Sequence, residues 1–334
     1  MPISADEVRI AEVQETTYGT TPATPAFKVV RLTGESLSFT PTTTNSAGMN
    51  PNRSVEDSIL TGGSVAGAIN FELAKEAWFE EFLAGAMAND WATDALTVGT
   101  LLKSFTIEKT LPIDDVLSDY HVIPGAIMNG FSLTIAPNAP ITGTFDILAK
   151  EYNVAQAIIA GATYIDPVFN PIFTAPLVTD IEISGIATAA QCFNNITLTL
   201  NNNARALECI GHLGAREMNL GQAEVTLAFS LYYADGDLLD DLKNQTEVAI
   251  SFTVNDSDDP VNSYTFTLPR AKLTQVNVVA GGTGQDVVAD CVATGLYDAV
   301  TDTPLLIERA TAAVPAPPAP IAAPSPEPAP APLP

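Results

Sequence analysis

One structural unit is written twice in this chain. Leu37-Ser-Phe-Thr and, further on, Phe71-Glu-Leu in the first half are echoed by Ile196-Thr-Leu-Thr and Leu231-Tyr-Tyr in the second. From Leu37 to Val65 is 28 residues and from Ile196 to Val225 is 29, while Trp78 and Leu238 lie 41 and 42 residues beyond the same two origins. Pro124 stands 24 residues before Leu148, and Pro269 stands 24 before Ala293, each within a run of alternating strands. Spacings kept this closely imply duplication, and a duplicated β-rich unit is a means of closing a symmetrical object.

The pattern predicts a mainly β fold with short α-helices: two tandem β-sandwich or barrel units, each with a flanking helix. Residues 1–34 read as an extended arm, 35–152 as the first unit, 153–180 as a connector with Pro167, Pro171 and Pro176, and 181–310 as the second unit. In the first unit Leu37 and Phe39 share one strand face, and Val65, Ile69, Phe71 and Leu73 share another. Gly67 and Ala68 leave room for a neighbouring backbone. A helix over 77–87 places Trp78, Phe82 and Leu83 in one apolar stripe. Strands are expected at 102–109, 120–123, 128–135 and 141–150. The second unit repeats this with strands at 195–200 and 223–231, a helix at 237–243, and strands at 247–254, 263–268, 271–279 and 286–294. The long connections 45–63 and 201–221 carry Arg53, Glu56 and Asp57 in one unit and Arg205, Arg216 and Glu217 in the other. These six are the candidate subunit-interface residues, their mixed charges suited to fixing register. Residues 311–334, rich in Pro and Ala, are expected to form an extended polyproline rod.

Fourteen basic against 39 acidic residues give a net charge of -25, which disfavours adhesion to nucleic acid or anionic membranes. No run of about 18 apolar residues is present, and the acidic N-terminus is unlike a signal peptide, so cytoplasmic synthesis is expected. Cys192, Cys209 and Cys291 have no metal or disulfide spacing and are expected to be reduced and buried. Chemistry is scarce. His121 and His212 fall in non-equivalent elements, and Gly281-Gly-Thr-Gly284 reads as a hairpin turn, lacking the Lys and helix of a phosphate loop. Asn255-Asp-Ser-Asp-Asp259 reads as a polar turn, without the Gly and Glu of a helix-loop-helix calcium site. The matched pairs Glu80-Glu81 and Asp240-Asp241 read as solvated helix faces, because adjacent helical residues point apart. No catalytic residue, cofactor or metal is expected.

Glu15-Thr-Thr-Tyr-Gly-Thr-Thr-Pro22, Thr33-Gly-Glu-Ser-Leu37 and Gly62-Gly-Ser-Val-Ala-Gly-Ala-Ile-Asn-Phe-Glu-Leu73 ahead of an aromatic helix resemble, in that order, the major tail tube proteins of long-tailed bacteriophages. The resemblance covers residues 12–300. It implies a β-sandwich or barrel whose strands join across subunits, and stacked rings forming a conduit for DNA in the virion tail after assembly in the host cytoplasm. It implies self-association, with the duplication favouring trimeric pseudo-hexameric rings over hexamers. The implied partners are tape measure, tail terminator and distal tail proteins, with DNA passing unbound and no membrane contact. A secreted β-sandwich fibre or adhesin with a Pro-rich stalk is the competing expectation, and a hydrolase using its acidic pairs is the third.

Overall fold

The computed structural model describes residues 3–49, 51–113, 118–184, 192–257 and 262–310. The expected polyproline segment lies outside them. The first part of the chain forms β1 (Arg9–Gln14), β2 (Ala26–Val29), β3 (Gly34–Glu35), β4 (Ser38–Asn45), β5 (Ser58–Glu72) and α1 (Ala77–Ala86). It continues through β6 (Ala95–Thr97), β7 (Phe105–Pro112), β8 (Ser118–Ile135) and β9 (Thr142–Ala149). Three short strands follow, β10 (Asn153–Ala155), β11 (Thr163–Ile165) and β12 (Val178–Ile183). The remainder is β13 (Phe193–Asn201), β14 (Arg205–Glu208), β15 (Ala215–Asn219), β16 (Glu224–Tyr232), α2 (Asp237–Asn244), β17 (Glu247–Asn255), β18 (Ser263–Ala280), β19 (Val287–Gly295) and β20 (Leu306–Ala310). The fold is mainly β with two short α-helices.

The same antiparallel strand order occurs twice. It runs β1-β7-β8-β9-β5-β4 in one half and β12-β17-β18-β19-β16-β13 in the other. Equivalence holds at the level of single residues. Val65 opposes Ala149 as Val225 opposes Gly295, and the β8–β9 register slips between Met128 and Gly130 as that of β18–β19 slips between Leu273 and Gln275. Two corrections follow: Ala293 corresponds to Ile147 and not to Leu148, and, since Phe39 opposes Val65 and Leu200 opposes Val225, Leu37 corresponds to Leu198 and not to Ile196. The second, a two-residue difference, preserves the strand face, and the hydrophobic pattern therefore could not reveal it.

Pro124 and Pro269 do not end strands. Each half has one 18-residue strand, β8 or β18, where two were expected. The register shifts between Ile123 and Ala126 in one half and between Leu268 and Ala271 in the other, so both prolines sit in bulges. A proline has no N–H to give a ladder, and a bulge does not require one. The 102–109 strand likewise starts later, at Phe105.

Two further segments differ from expectation. Residues 1–34 include β1 and β2, with Ile10, Ala11 and Phe27 fully buried, because β1 completes the edge beside β7. Residues 153–180 contain β10 and β11 and the start of β12, which attach to β8, β2 and β17. Connection 201–221 folds into its own β14–β15 hairpin.

The core is an aromatic cluster under α1. Trp78, Phe79, Phe82 and Leu83 are buried, Phe82 packs edge-on against Phe105, and Phe145 stacks on Phe71. By contrast α2 buries only Leu238. The close approach expected at Gly67 is present: a Cβ there would stand 2.6 Å from the Leu37 backbone. Of the cysteines only Cys291 is buried; Cys192 and Cys209 are exposed, contrary to expectation, because they lie just before or beyond strand interiors.

Candidate subunit-interface edges

The two halves are joined by an antiparallel pairing of β13 with the second half of β8. Ile196 opposes Ile135, Leu198 opposes Leu133 and Leu200 opposes Phe131. The joint is apolar and sealed, since Leu133, Phe131, Leu198 and Leu200 are all buried. Past its end, the buried Asn202 side chain donates to the carbonyls of Ala86 (2.8 Å) and Met128 (3.0 Å), locking the chain to both α1 and β8. The β14–β15 hairpin then lies over the first half, where Ala215 and Met218 cover Ile127.

The equivalent edges at the other ends of the molecule have no strand partner among the described residues. These are the outer edge of β4 and the second half of β18, the counterparts of β13 and β8. Backbone directions follow from the hydrogen bonds. The Val287 carbonyl accepts from Tyr233 N–H, on the β16 side. Alternation along β19 therefore aims Val288 and Asp290 at their β18 partners Val279 and Asn277, and leaves Val276 and Val278 pointing outward. On β5 the Ala68 carbonyl accepts from Ser36 N–H, so Ser38 faces β5 while Leu37 and Phe39 face outward. The outward Leu37 N–H is held by the Glu35 carboxylate at 2.8 Å. An apolar edge with unpaired backbone groups is a site for adding a strand.

The six charged candidates fall into two groups. Arg53, Glu56 and Asp57 lie exposed at the tip of the β4–β5 hairpin, with Arg53 in the left-handed region at φ 61°. Arg205 opens β14, and Arg216 and Glu217 stand on β15, within 4.0 Å of each other. Arg216 and Glu217 line a cleft against Tyr18, Lys150 and Glu151 of the first half of the same chain. The structure thus brings each trio into its own hairpin, and it does not bring the two trios together.

Sequence reasoning missed two buried acids. Glu15, from the Thr-Thr-Tyr-Gly-Thr-Thr motif, accepts from the Gly19 N–H (2.7 Å), the Ser104 and Thr106 hydroxyls (2.7 Å each) and the Gly125 N–H (2.8 Å). Glu12 is fully buried with no N–H or hydroxyl donor on its carboxylate, and its hydrogen-bond partner is the Glu81 carboxylate, which only a protonated group can satisfy. Burial first, then the neighbouring Glu81 charge, push its pKa well above the usual carboxylate value, while Lys28 opposes them. The folded state therefore keeps the Glu12 proton to a higher pH than the unfolded chain does. Stability from this group is present below the unfolded carboxylate value and falls as pH rises through the folded one. Glu12→Gln is expected to flatten that fall and to stabilise the subunit at pH 8 by on the order of 1 kcal/mol. Urea melts of both proteins at pH 5 and pH 8 check this; parallel pH profiles would contradict it.

The remaining polar motifs are structural. His121 Nδ1 lies 2.6 Å from the Tyr152 hydroxyl, and burial followed by the Lys109 charge lowers its pKa. Glu80 pairs with Arg309 and accepts from Tyr264, whereas Glu81 pairs with Lys28, so the two adjacent acids face different elements. They are bound to partners and not simply solvated. Asn255 ends β17, opposite Ser263, and donates to the Leu177 carbonyl and to Thr179; residues 258 and 259 lie outside the described region. Among the described residues no cluster of three or more His, Cys, Asp or Glu is placed to hold a metal ion, and no helix is long and apolar enough to cross a membrane.

What remains is a β scaffold with strand edges for chemistry. The family model for the phage tail tube protein matches residues 5–295. The chain belongs to the phage tail tube protein family. No curated protein matches it. A tail tube protein is a structural subunit of the virion tail, and the family assembles with itself and with other tail proteins into a tube. Membership decides against the adhesin and hydrolase expectations.

Proposed function

We propose that this tail tube protein closes into three-subunit, pseudo-six-fold rings that stack into a hollow, acidic conduit for DNA. One observation carries the reading: the free edges of β4 and β18 are the counterparts of the strands that already join the two halves through β13 and β8. Transferring that internal joint between subunits pairs Val276 with Phe39, Val278 with Leu37 and Ala280 with Glu35. All of these residues point their backbone groups outward. Three chains, each contributing units 35–152 and 181–310, then provide six similar joints, and pairing around the ring removes every long open edge.

The net charge of -25 supports passage of DNA without adhesion, since a duplex carries about one charge per 1.7 Å. Tape measure, tail terminator and distal tail proteins complete the proposed set of partners. Negative-stain electron microscopy of the purified chain tests the reading. Hollow tubes whose end-on averages show three-fold or pseudo-six-fold rings are expected. Six whole chains per ring would overturn the trimer, and persistent monomers would overturn the conduit.

A further inference from the structure

The strand joint is not the only internal contact with an unfilled counterpart. In the second half, the connection between β13 and β16 folds as the β14–β15 hairpin and covers the first half at Ile127, which is 1% exposed beneath Ala215 and Met218. In the first half, the connection between β4 and β5 is also a hairpin, but β4 is exposed along its whole length. Nothing among the described residues covers its tip.

Residue correspondence shows what the tip should meet. Val55 to Ser58 lies as far before Val65 as Ala215 to Met218 lies before the equivalent Val225. Glu56 and Asp57 thus occupy the places of Arg216 and Glu217. Ile127 opposes Leu148 as Lys272 opposes Thr294, so the residue beneath the hairpin is Ile127 in one half and Lys272 in the other. Gly125 and Arg270 correspond in the same way, each following its bulge proline.

The chemistry changes on both sides together. Where the covered residue is apolar, the hairpin presents Ala215 and Met218. Where it is basic, the same two places hold Val55 and Ser58, and the pair between them changes from Arg216 and Glu217 to the two acids Glu56 and Asp57. Arg270 and Lys272 share the Glu247 carboxylate at 2.6 and 3.7 Å, with Asp298 also acting on Arg270, and both cations stay partly exposed to a further acidic partner. Tyr297, the counterpart of Glu151, stands 57% exposed beside them and offers apolar area to the exposed Val55.

We infer that the β4–β5 hairpin of one subunit docks across the second half of the neighbouring copy, with Glu56 and Asp57 against that copy's basic pair at positions 270 and 272. This rests on the ring reading above and adds a charged clasp to each strand joint between subunits. The hairpin belongs to the subunit whose β4 completes the joint, just as β14–β15 belongs to the half that contributes β13. Charged contacts of this kind fix register and partner choice more than raw affinity.

Charge reversal tests it on the full chain by electron microscopy, with thermal melts to confirm that each variant folds. Glu56→Lys with Asp57→Lys is expected to raise the protein concentration needed for tubes at least tenfold, and so is Arg270→Glu with Lys272→Glu. The four changes combined are expected to restore assembly, since the charges are exchanged and not removed. Tubes formed by either reversed variant at wild-type concentrations would overturn the clasp while leaving the ring intact. Failure of the combined variant to recover would place the hairpin elsewhere and also overturn it. Absence of tubes from the wild-type chain would reject the ring reading itself and the clasp with it.

Discussion

Val278→Pro is expected to leave the subunit folded and to abolish tube formation. The N–H of Val278 points away from β19, because the neighbouring Val279 is the residue aimed at Val288. Proline at 278 therefore takes no hydrogen bond from the subunit itself, and an edge strand tolerates it. Across the proposed joint with Leu37 it removes one backbone bond of about 1 kcal/mol, and its ring intrudes on the approaching strand. The loss recurs at every joint between subunits, so the effect on a repeating assembly is much larger than on one contact. Val279→Pro is the matched control: it removes a bond to β19, leaves its partner carbonyl unpaired, and is expected to cost the subunit about 1–3 kcal/mol. Urea denaturation and electron microscopy of the two variants separate the cases. Tubes from Val278→Pro at wild-type concentrations would sink the proposed register.

The readable parts of the fold were those written in side-chain periodicity. Alternation placed Val65, Ile69, Phe71 and Leu73 on one buried face, and the stripe of Trp78, Phe82 and Leu83 is buried as expected. Backbone devices were less legible. Pro124 and Pro269 were expected to break strands, because a sequence shows the missing donor but not the bulge that makes it harmless. β1 was hidden for another reason. Its neighbours force Glu12 into the interior beside Ile10 and Ala11, so the segment reads as polar and yet is buried.

The candidate interface was legible in one respect only. Charge drew attention to the hairpins carrying Arg53, Glu56, Asp57, Arg205, Arg216 and Glu217. The open edges themselves have no side-chain signature: Leu37 and Phe39 look like the core residues that Leu198 and Leu200 are. Only the pairing pattern, with β13 on β8 and nothing described on the outer side of β4, distinguishes a filled joint from an open one.

Glu15 gives the second large prediction. Its carboxylate gathers two backbone N–H groups and two hydroxyls from three separate places: the turn at Gly19, the start of β7 with Thr106 and the preceding Ser104, and the β8 bulge at Gly125. Both glycines have positive φ, 67° and 68°, and a Cβ on either would press on Lys150, so the turn and the bulge fit together only in this form. Glu15→Ala leaves these buried donors without an acceptor and is expected to destabilise the subunit by about 3–5 kcal/mol. Glu15→Gln retains one acceptor oxygen and should lose roughly half as much. The consequence for assembly follows from geometry. The bulge at Pro124 and Gly125 sets the direction in which β8 leaves β7 and travels to meet β13, so loosening it misaims the internal joint on which the proposed ring is patterned. Glu15→Ala is therefore expected to lower the urea midpoint and to impair tubes together, whereas the Val278→Pro change impairs tubes alone. A Glu15→Ala unfolding free energy within about 0.5 kcal/mol of wild type would show that water replaces the carboxylate and that the motif does not organise the bulge.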